Sequence, residues 1–187
     1  MDERELMTKP KGKQAESNKL LETIVSGGQT GVDRAALDAA LEAGVPIGGW
    51  CPLGRRAERG SIPKRYPLKE TTARSYTVRT ELNVTDSDGT LIIVLSKISS
   101  GTKLTLDLAR KHQKPFFVVY LRPESSTNLF SDEISLTEQI DSVVDWIHEH
   151  RIRVLNVAGP RGSSHKDVYA ESREFVSLML QRPAVGC

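Results

Sequence analysis

The chain has 187 residues, of which 38% are hydrophobic and 27% are charged. This size and composition are typical of one ordinary globular domain with a hydrophobic core, so a single compact α/β unit is the default prediction. The formal net charge of only +2 gives no argument for a nucleic-acid or membrane partner.

Neither a membrane span nor a secretory leader is predicted. No window approaches the roughly 18 consecutive apolar residues of a transmembrane helix, and the N-terminus lacks the apolar core of a signal peptide. Cys51 and Cys187 lie far apart in the chain, so neither a disulfide framework nor a zinc site is suggested. These observations predict a cytoplasmic protein.

The first 19 residues are polar and without apolar periodicity, which predicts a mobile tail before a domain at 20–187. From Leu20 onward, short apolar runs rich in β-branched residues alternate with segments of helical period, as in a doubly wound, mostly parallel sheet with helices on both faces. The predicted strands are Leu21–Ser26, Val45–Gly48, Leu91–Ser96, Phe116–Leu121 and Val154–Ala158. The predicted helices are Val32–Ala43, which ends at Gly44, then Ala73–Thr85, Thr102–Gln113, Ser135–His150 and Ser164–Gln181.

Three polar, glycine-containing stretches follow predicted strands, and ligands of doubly wound sheets bind outside the carboxyl ends of the strands. The first stretch is "SGGQTGVDR", which we call loop 1 (residues 26–34). Its glycines allow close approach, and the helix that begins near Val32 offers free N–H groups to an anion. It fits neither standard phosphate-binding glycine fingerprint. A tight strand-to-helix turn capped by Thr30 or Asp33 is an equal alternative.

The other two stretches have the same two interpretations. In "SSGTKLTLD", loop 2 (residues 99–107), Gly101 and Thr102 stand at a helix N-terminus and could bind a phosphate or serve as an ordinary cap. In "NVAGPRGSS", loop 3 (residues 156–164), the Asn156 amide could read a heterocycle edge. Arg161 is either a fixed cation for phosphate or a solvated surface charge. The convergence of the three stretches favours a shared binding site.

The long irregular piece "GGWCPLGRRAERGSIPKRYPLKE", the long segment (residues 48–70), is rich in glycine, proline and basic residues. A loop of this length in a compact domain is usually functional or mobile. Its six cations are interpreted either as a rim over an anion site or as a solvated face. Cys51 is predicted to be a small buried apolar residue. The four histidines lack ligand spacing, so no metal site made of protein side chains is predicted.

In this order, the motifs "SGGQTGVDRAALDAAL", "GGWCPLGRRAERG", "RTELNVTDSDGTLII", "SSGTKLTL" and "LNVAGPR" resemble the molybdenum cofactor carrier proteins. The resemblance covers Ile24 to Arg161. It implies a Rossmann-like fold of the lysine-decarboxylase-like superfamily, a homo-oligomer (dimer or tetramer), and binding of the molybdenum cofactor, a pterin dithiolene phosphate. Molybdate or phosphate could also occupy the anion site, and a molybdoenzyme would be the acceptor of the cofactor.

The family pattern implies a set of cofactor-binding residues in the three loops and in the helix before loop 2. Two positions depart from the pattern: Ser100 stands where glycine is expected, and Arg59 where an acidic residue is expected. The extra side chain at Ser100 puts ligand affinity in doubt rather than the fold. The implied residues are Gly27, Gly28, Gln29, Thr30, Gly31, Arg34, Arg79, Ser100, Gly101, Thr102, Asn156, Gly159, Pro160 and Arg161.

The same superfamily contains phosphoribohydrolases, which supplies an enzymatic alternative. Arg79 resembles their arginine, but Thr105 stands where their motif has a glutamate, and Asp107 lies roughly 200° away around the helix. Glu81 is the nearest remaining candidate carboxylate. A ligand sensor that binds an ordinary nucleotide is a third hypothesis. Carriage, storage and protection of the cofactor, without turnover, is the favoured prediction.

Overall fold

A computed structural model describes residues 20–122 and 135–183. The predicted N-terminal tail and Cys187 lie outside these residues. The described chain alternates strands and helices, with one short 3-10 turn at Gly162–Ser164. The strands are β1 (Thr23–Val25), β2 (Ile47–Gly48), β3 (Trp50–Cys51), β4 (Lys69–Glu70), β5 (Gly89–Val94), β6 (Phe116–Tyr120) and β7 (Val154–Ala158). The helices are α1 (Val32–Glu42), α2 (Tyr76–Thr85), α3 (Ser100–Lys111), α4 (Leu136–Glu149) and α5 (Val168–Leu180).

The main sheet has five parallel strands in the order β2-β1-β7-β5-β6. The last strand of the chain, β7, therefore lies in the middle of the sheet, between β1 and β5. Because all five strands are parallel, their carboxyl ends meet at one edge. This arrangement brings loops 1, 2 and 3, which follow β1, β5 and β7, to adjacent positions.

Helices cover both faces of the sheet, which confirms the predicted α/β, Rossmann-like fold class. Alternate residues of β5 point to opposite faces: Leu91 and Ile93 belong to the large core under α1, α4 and α5, whereas Ile92 and Val94 pack with Leu106 of α3. A strand buried on both faces is expected to read as a continuous apolar run, and "LIIV" does. The sheet centre thereby forms a rigid base for the loops at its edge.

All five predicted strands and all five predicted helices are present, with shifts at their ends. Helices α2 and α3 are offset because serines cap them: the Ser75 and Ser99 hydroxyls accept from the N–H groups of Thr77 and Thr102. Helix α2 therefore begins at Tyr76 rather than at Ala73, and α3 at Ser100 rather than at Thr102. Helix α5 begins at Val168, after the 3-10 turn, instead of at Ser164.

The remaining shifts are smaller. Strand β1 is shorter than predicted, and β5 spans Gly89–Val94 instead of Leu91–Ser96. Helix α1 ends as predicted at a glycine: Gly44 has a φ of 67°, which glycine adopts readily, and the Val45 N–H donates back to the Ala40 carbonyl. In the described part of the chain, no helix is long and apolar enough to cross a membrane.

The long segment is ordered by its own interactions, which the sequence interpretation did not predict. Two very short parallel strands, β3 and β4, pair within it. The Arg55 guanidinium donates to four backbone carbonyls of the same segment, at distances from 2.9 to 3.1 Å. Arg55 is thus an internal brace and not part of a basic rim. The four acceptors are Ile62, Pro63, Tyr66 and Leu68.

A second, smaller core holds the long segment against α1. Its buried members are Leu37 of α1 with Cys51, Ile62, Tyr66 and Leu68 of the segment. Cys51 is fully buried, which confirms its interpretation as a small core residue, and burial raises the pKa of its thiol. The long segment therefore packs as a covering layer over the first helix.

Candidate functional site

A cavity of about 280 Å³ opens at the carboxyl edge of the sheet, between loops 1, 2 and 3 and the start of α2. We call it cavity A. It lies beside β7 and β5, the two central strands whose following chains diverge to opposite faces. Nine of the fourteen predicted binding residues line it: Gly27, Gln29, Arg79, Ser100, Gly101, Asn156, Gly159, Pro160 and Arg161.

Loops 1 and 3 form a continuous wall of cavity A. The Val32 N–H donates to the Pro160 carbonyl at 3.2 Å, and the Gly162 N–H donates to the Thr30 hydroxyl at 3.1 Å. Gly31 has a φ of 82°, and a Cβ there would lie 2.4 Å from the Pro160 carbonyl oxygen. Only glycine therefore permits the two loops to pack this closely.

A buried ion pair forms the floor of cavity A. Arg79 of α2 donates through Nη1 to the Asp33 carboxylate at 3.0 Å, and their side chains are 16% and 5% exposed. Gly27 makes room for this pair, since a Cβ there would lie 1.4 Å from Arg79 Nη1. Burial raises the pKa of Asp33. Two partners oppose that rise: the Arg79 guanidinium, and the Gln29 N–H, which donates to the carboxylate at 3.2 Å.

Free N–H groups and a positive charge both line cavity A. The first N–H groups of a helix have no partner within the helix, and Ser99 satisfies that of Thr102. Ser100 and Gly101, in the first turn of α3, line the cavity. The side chain of Arg161 lines the wall of loops 1 and 3 and makes no hydrogen bond or ion pair with any residue in 20–122 or 135–183, although its charge helps to lower the pKa of Glu58. This arrangement suits a bound anion.

Two amide side chains of the implied cofactor-binding set, Gln29 and Asn156, are partly engaged by the protein itself. The Gln29 Oε1 accepts from the N–H groups of Thr30 and Glu58, at 3.0 and 2.9 Å. Asn156 is 2% exposed, and its Nδ2 donates to the Thr90 hydroxyl at 3.3 Å. Gln29 retains its amide NH₂ and Asn156 its carbonyl oxygen as groups that could contact a ligand.

The structure places five predicted binding residues outside the lining of cavity A. Gly28 packs under Leu68 and Ile62, and the Thr102 hydroxyl contacts Ser99 at 2.9 Å. The other three lie on the far side of the wall that loops 1 and 3 form, where they line a different cavity. They are Thr30, Gly31 and Arg34.

Cavity A also contains polar residues outside the set of fourteen that the family pattern implied. Asp33 was interpreted as a cap, and only the fold reveals its pairing with Arg79, 46 positions away. The helical period of "YTVRTELN" could have signalled part of this group, because Tyr76, Arg79, Thr80 and Asn83 recur at helical spacing and share one face. The further polar residues are Asp33, Tyr76, Thr80, Asn83, Ser99, Thr105 and Ser164.

Glu81 and Asp107, the carboxylates considered for the hydrolase alternative, do not line cavity A. Glu81 contacts Lys111 Nζ and His112 Nε2 at 2.9 and 2.7 Å, on the side of α2 that faces α3. Thr105 occupies the cavity position where the hydrolase motif has its glutamate, and Asp107 is exposed. Asp33, the acidic residue that lines cavity A, is paired with Arg79. In the described ranges, no group of three or more potential side-chain ligands gathers as a metal site would require.

Glu58 links the long segment to both loops of the wall of cavity A, loop 1 and loop 3. Its carboxylate accepts from the Ser163 N–H at 3.0 Å and from the hydroxyls of Ser163 and Thr30. An acidic residue was expected one position later, at Arg59, and Glu58 supplies a carboxylate here. Burial acts to raise the pKa of Glu58, but the hydrogen bonds from Ser163 and Thr30 hold it below its ordinary value.

We expect the tether at Glu58 to be lost only at acid pH. A carboxyl group whose pKa is lowered in the folded state stabilises the fold at any pH above its unfolded-state pKa, which is near 4.5. That contribution is lost as the pH falls through the folded-state pKa. A carboxyl-carbon NMR titration of Glu58 should give a midpoint below 4.5. A midpoint at or above the ordinary glutamate value would contradict the hydrogen-bond assignment, and Ser163→Ala should move the midpoint upward.

Comparison with known proteins adds independent findings. Residues 24–180 match the model of the "Circularly permutated YpsA SLOG family". The chain is 40% identical to a "Putative molybdenum carrier protein" from Syntrophus aciditrophicus SB, whose crystal structure superimposes with a TM-score of 0.79. The match covers 87% of this chain and 96% of that one. The search of curated proteins finds no match.

The strand order agrees with a circular permutation. If β7 and α5 stood before β1, the main sheet would read 3-2-1-4-5 in chain order, as in the corresponding part of the Rossmann fold. The switch point of that order lies between β7 and β5, where cavity A opens. The site is therefore at the position where doubly wound sheets bind their ligands.

Proposed function

Because the chain belongs to the circularly permutated YpsA SLOG family, we propose that it binds the molybdenum cofactor in cavity A and carries, stores and protects it. The name of the Syntrophus aciditrophicus relative supports this proposal, since that protein is called a putative molybdenum carrier. The cofactor is cargo here, and the chain's own residues hold it without changing it.

The observation that carries the proposal is the convergence of anion-binding groups from separate elements. The N-terminus of α3 lies on one side of cavity A, Arg161 on another and Arg79 at the floor. A helix N-terminus with fixed guanidinium groups binds phosphate or an oxyanion such as molybdate through charge-assisted hydrogen bonds. The terminal phosphate of the cofactor is a ligand of this chemistry.

The residues present fit such a cargo in two further respects. A Cβ at Gly101 would meet no heavy atom within 4 Å, so the first turn of α3 leaves open space beside its N–H groups. Arg79 Nε is buried and has no hydrogen-bond partner among the described residues. The polar heterocycle of the cofactor would meet Gln29 and Asn156 around the same cavity.

Nucleotide hydrolysis and nucleotide sensing remain as alternatives with distinct requirements. A hydrolase would need a free carboxylate near the sugar, whereas Glu81 is paired with Lys111 and His112, and Asp33 with Arg79. A sensor would need only affinity for a nucleotide together with a change in assembly. We favour carriage because the described carboxylate of cavity A is engaged in the structure.

We further propose that the protein works in the cytoplasm as a homo-oligomer that delivers its cargo to a molybdoenzyme. Tyr76 at cavity A, and Val78 and Ile98 elsewhere on α2 and on the chain before α3, are exposed apolar side chains that an oligomer would cover. Light scattering of the purified full chain would measure the assembly directly. A monomer at all concentrations would contradict the oligomer.

Replacing Arg161 by alanine is expected to weaken cofactor binding by about 10- to 100-fold, because a charge-assisted contact contributes about 1.5–3 kcal/mol. The fold should remain stable, since the Arg161 side chain makes no hydrogen bond or ion pair with the described residues and alanine keeps the backbone contacts of loop 3. Lys64→Ala is the matched control, because it removes one positive charge from an exposed site outside cavity A. Equal affinities of the Arg161→Ala, Lys64→Ala and unmodified chains, measured anaerobically, would count against the proposed site.

A further inference from the structure

A second cavity, of about 400 Å³, lies behind the wall formed by loops 1 and 3. We call it cavity B. It is bounded by the exposed side of α1, the long segment and the start of α5, and it shares no lining residue with cavity A. Thr30, Gly31 and Gly162 form the back of the wall. A ligand in cavity B would therefore occupy a separate site that touches the same two loops.

The acidic side chains of cavity B are already engaged. Asp38 accepts hydrogen bonds from Arg65 and from the Tyr66 and Tyr169 hydroxyls, all between 2.7 and 2.8 Å. Glu58 accepts from Thr30 and Ser163. Burial and the bond to Asp38 raise the pKa of Tyr169 to about 12, so its hydroxyl remains a donor at neutral pH. Asp38 is thus paired with Arg65, whereas the partners of Glu58 are neutral and leave its negative charge in place.

Three cations of cavity B have no acidic partner. Arg59 and Lys166 make no hydrogen bond or ion pair with the residues that the structure describes. Arg34 uses Nε to donate to the Gly28 carbonyl at 3.2 Å, which fixes its guanidinium against loop 1. Its Nη2 is buried and lacks a partner in the same described ranges. Two arginines and a lysine, against the single negative charge of Glu58, thus leave an excess of positive charge on one concave surface.

The remaining surface of cavity B is partly apolar. The Tyr169 ring is held by its bond to Asp38, and Pro63 stands beside it in the lining. The cavity has room for more than an inorganic phosphate ion. Arginine pairs, with their planar donors, suit the oxygens of phosphate groups better than single carboxylates.

From these contacts we infer that cavity B is a second anion site, which binds a small molecule carrying a phosphate or diphosphate group through Arg34, Arg59 and Lys166. This inference is independent of the cargo proposed for cavity A. Arg34 is anchored by its bond to Gly28 of loop 1, whose next residues, Thr30 and Gly31, belong to the wall between the two cavities.

The test is a titration of the isotope-labelled full chain with inorganic pyrophosphate, followed by amide NMR. Saturable shifts are expected at Arg59, Lys166 and Tyr169. The double variant Arg59→Ala/Lys166→Ala should weaken this binding about tenfold or more, since it removes two charge-assisted contacts. The matched control Arg56→Ala/Lys64→Ala removes the same charge outside both cavities and should change the affinity less than about twofold.

The outcomes separate this inference from the proposed function. Saturable shifts at Ser100 and Gly101 alone would overturn the second site and leave cavity A as an anion site. Shifts at Arg59, Lys166 and Tyr169 that persist in the Arg161→Ala chain would establish cavity B whatever the cargo of cavity A. An equal loss of affinity in the two double variants would overturn the inference, because the binding would then follow net charge alone.

Discussion

Replacing Arg79 by alanine is expected to lower the free energy of unfolding by about 3 kcal/mol or more. The substitution removes the cation that compensates the Asp33 carboxylate, which is 5% exposed. A buried charge left without its partner loses both the pairing energy and the hydration it would have in the unfolded chain. Chemical denaturation followed by far-ultraviolet circular dichroism would measure the change.

Two further variants make the measurement specific to the pair. Arg74→Ala removes an exposed arginine immediately before α2 and should change stability by less than about 0.5 kcal/mol. The double variant Asp33→Ala/Arg79→Ala should lose less than the sum of the two single variants, because no uncompensated charge remains. Strict additivity would contradict the ion pair as the floor of cavity A. The Arg79→Ala chain should also bind anions more weakly.

Replacing Gly31 by alanine is expected to have an effect of similar size, about 3 kcal/mol or more, through the backbone. Gly31 has φ 82° and ψ −132°, a conformation open almost only to glycine, and an added Cβ would lie 2.4 to 2.7 Å from backbone atoms of loop 3. Loops 1 and 3 would have to separate. A drop of about 6–12 °C in the thermal midpoint should follow for a domain of this size.

Gly60 offers the matched control for Gly31. It has a similar φ of 78°, but a Cβ there would meet nothing within 4 Å. Gly60→Ala therefore carries the backbone strain without the collision and should cost about 1 kcal/mol. A loss as small for Gly31→Ala as for Gly60→Ala would show that the two loops are not packed as described.

Local signals were sufficient to predict the elements of the fold. The apolar run of β5 and the helical periods gave the correct number of main-sheet strands and of helices. Serine caps shifted the starts of α2 and α3, because each stretch contains more than one serine or threonine whose hydroxyl could cap the helix. The two-residue strands β3 and β4 were missed, since they are too short to show periodicity.

Long-range relations could not be read from the chain. The pairing of Asp33 with Arg79 depends on how α2 lies against loop 1, and no spacing rule covers it. Likewise, the engagement of Gln29 with Glu58 depends on the path of the long segment. The central place of β7 also had no local signal, although it is what brings loop 3 between loops 1 and 2. The convergence of the three loops followed from the general rule that parallel strands share a carboxyl edge.

The measurement that tests the central claim most directly is equilibrium binding of the molybdenum cofactor to the purified full chain under anaerobic conditions. Molybdenum is counted per chain, and AMP and molybdate serve as competitors. We predict saturable binding near one cofactor per chain that AMP does not displace. Failure to bind the cofactor, together with binding or cleavage of AMP, would contradict the account and assign cavity A to a nucleotide.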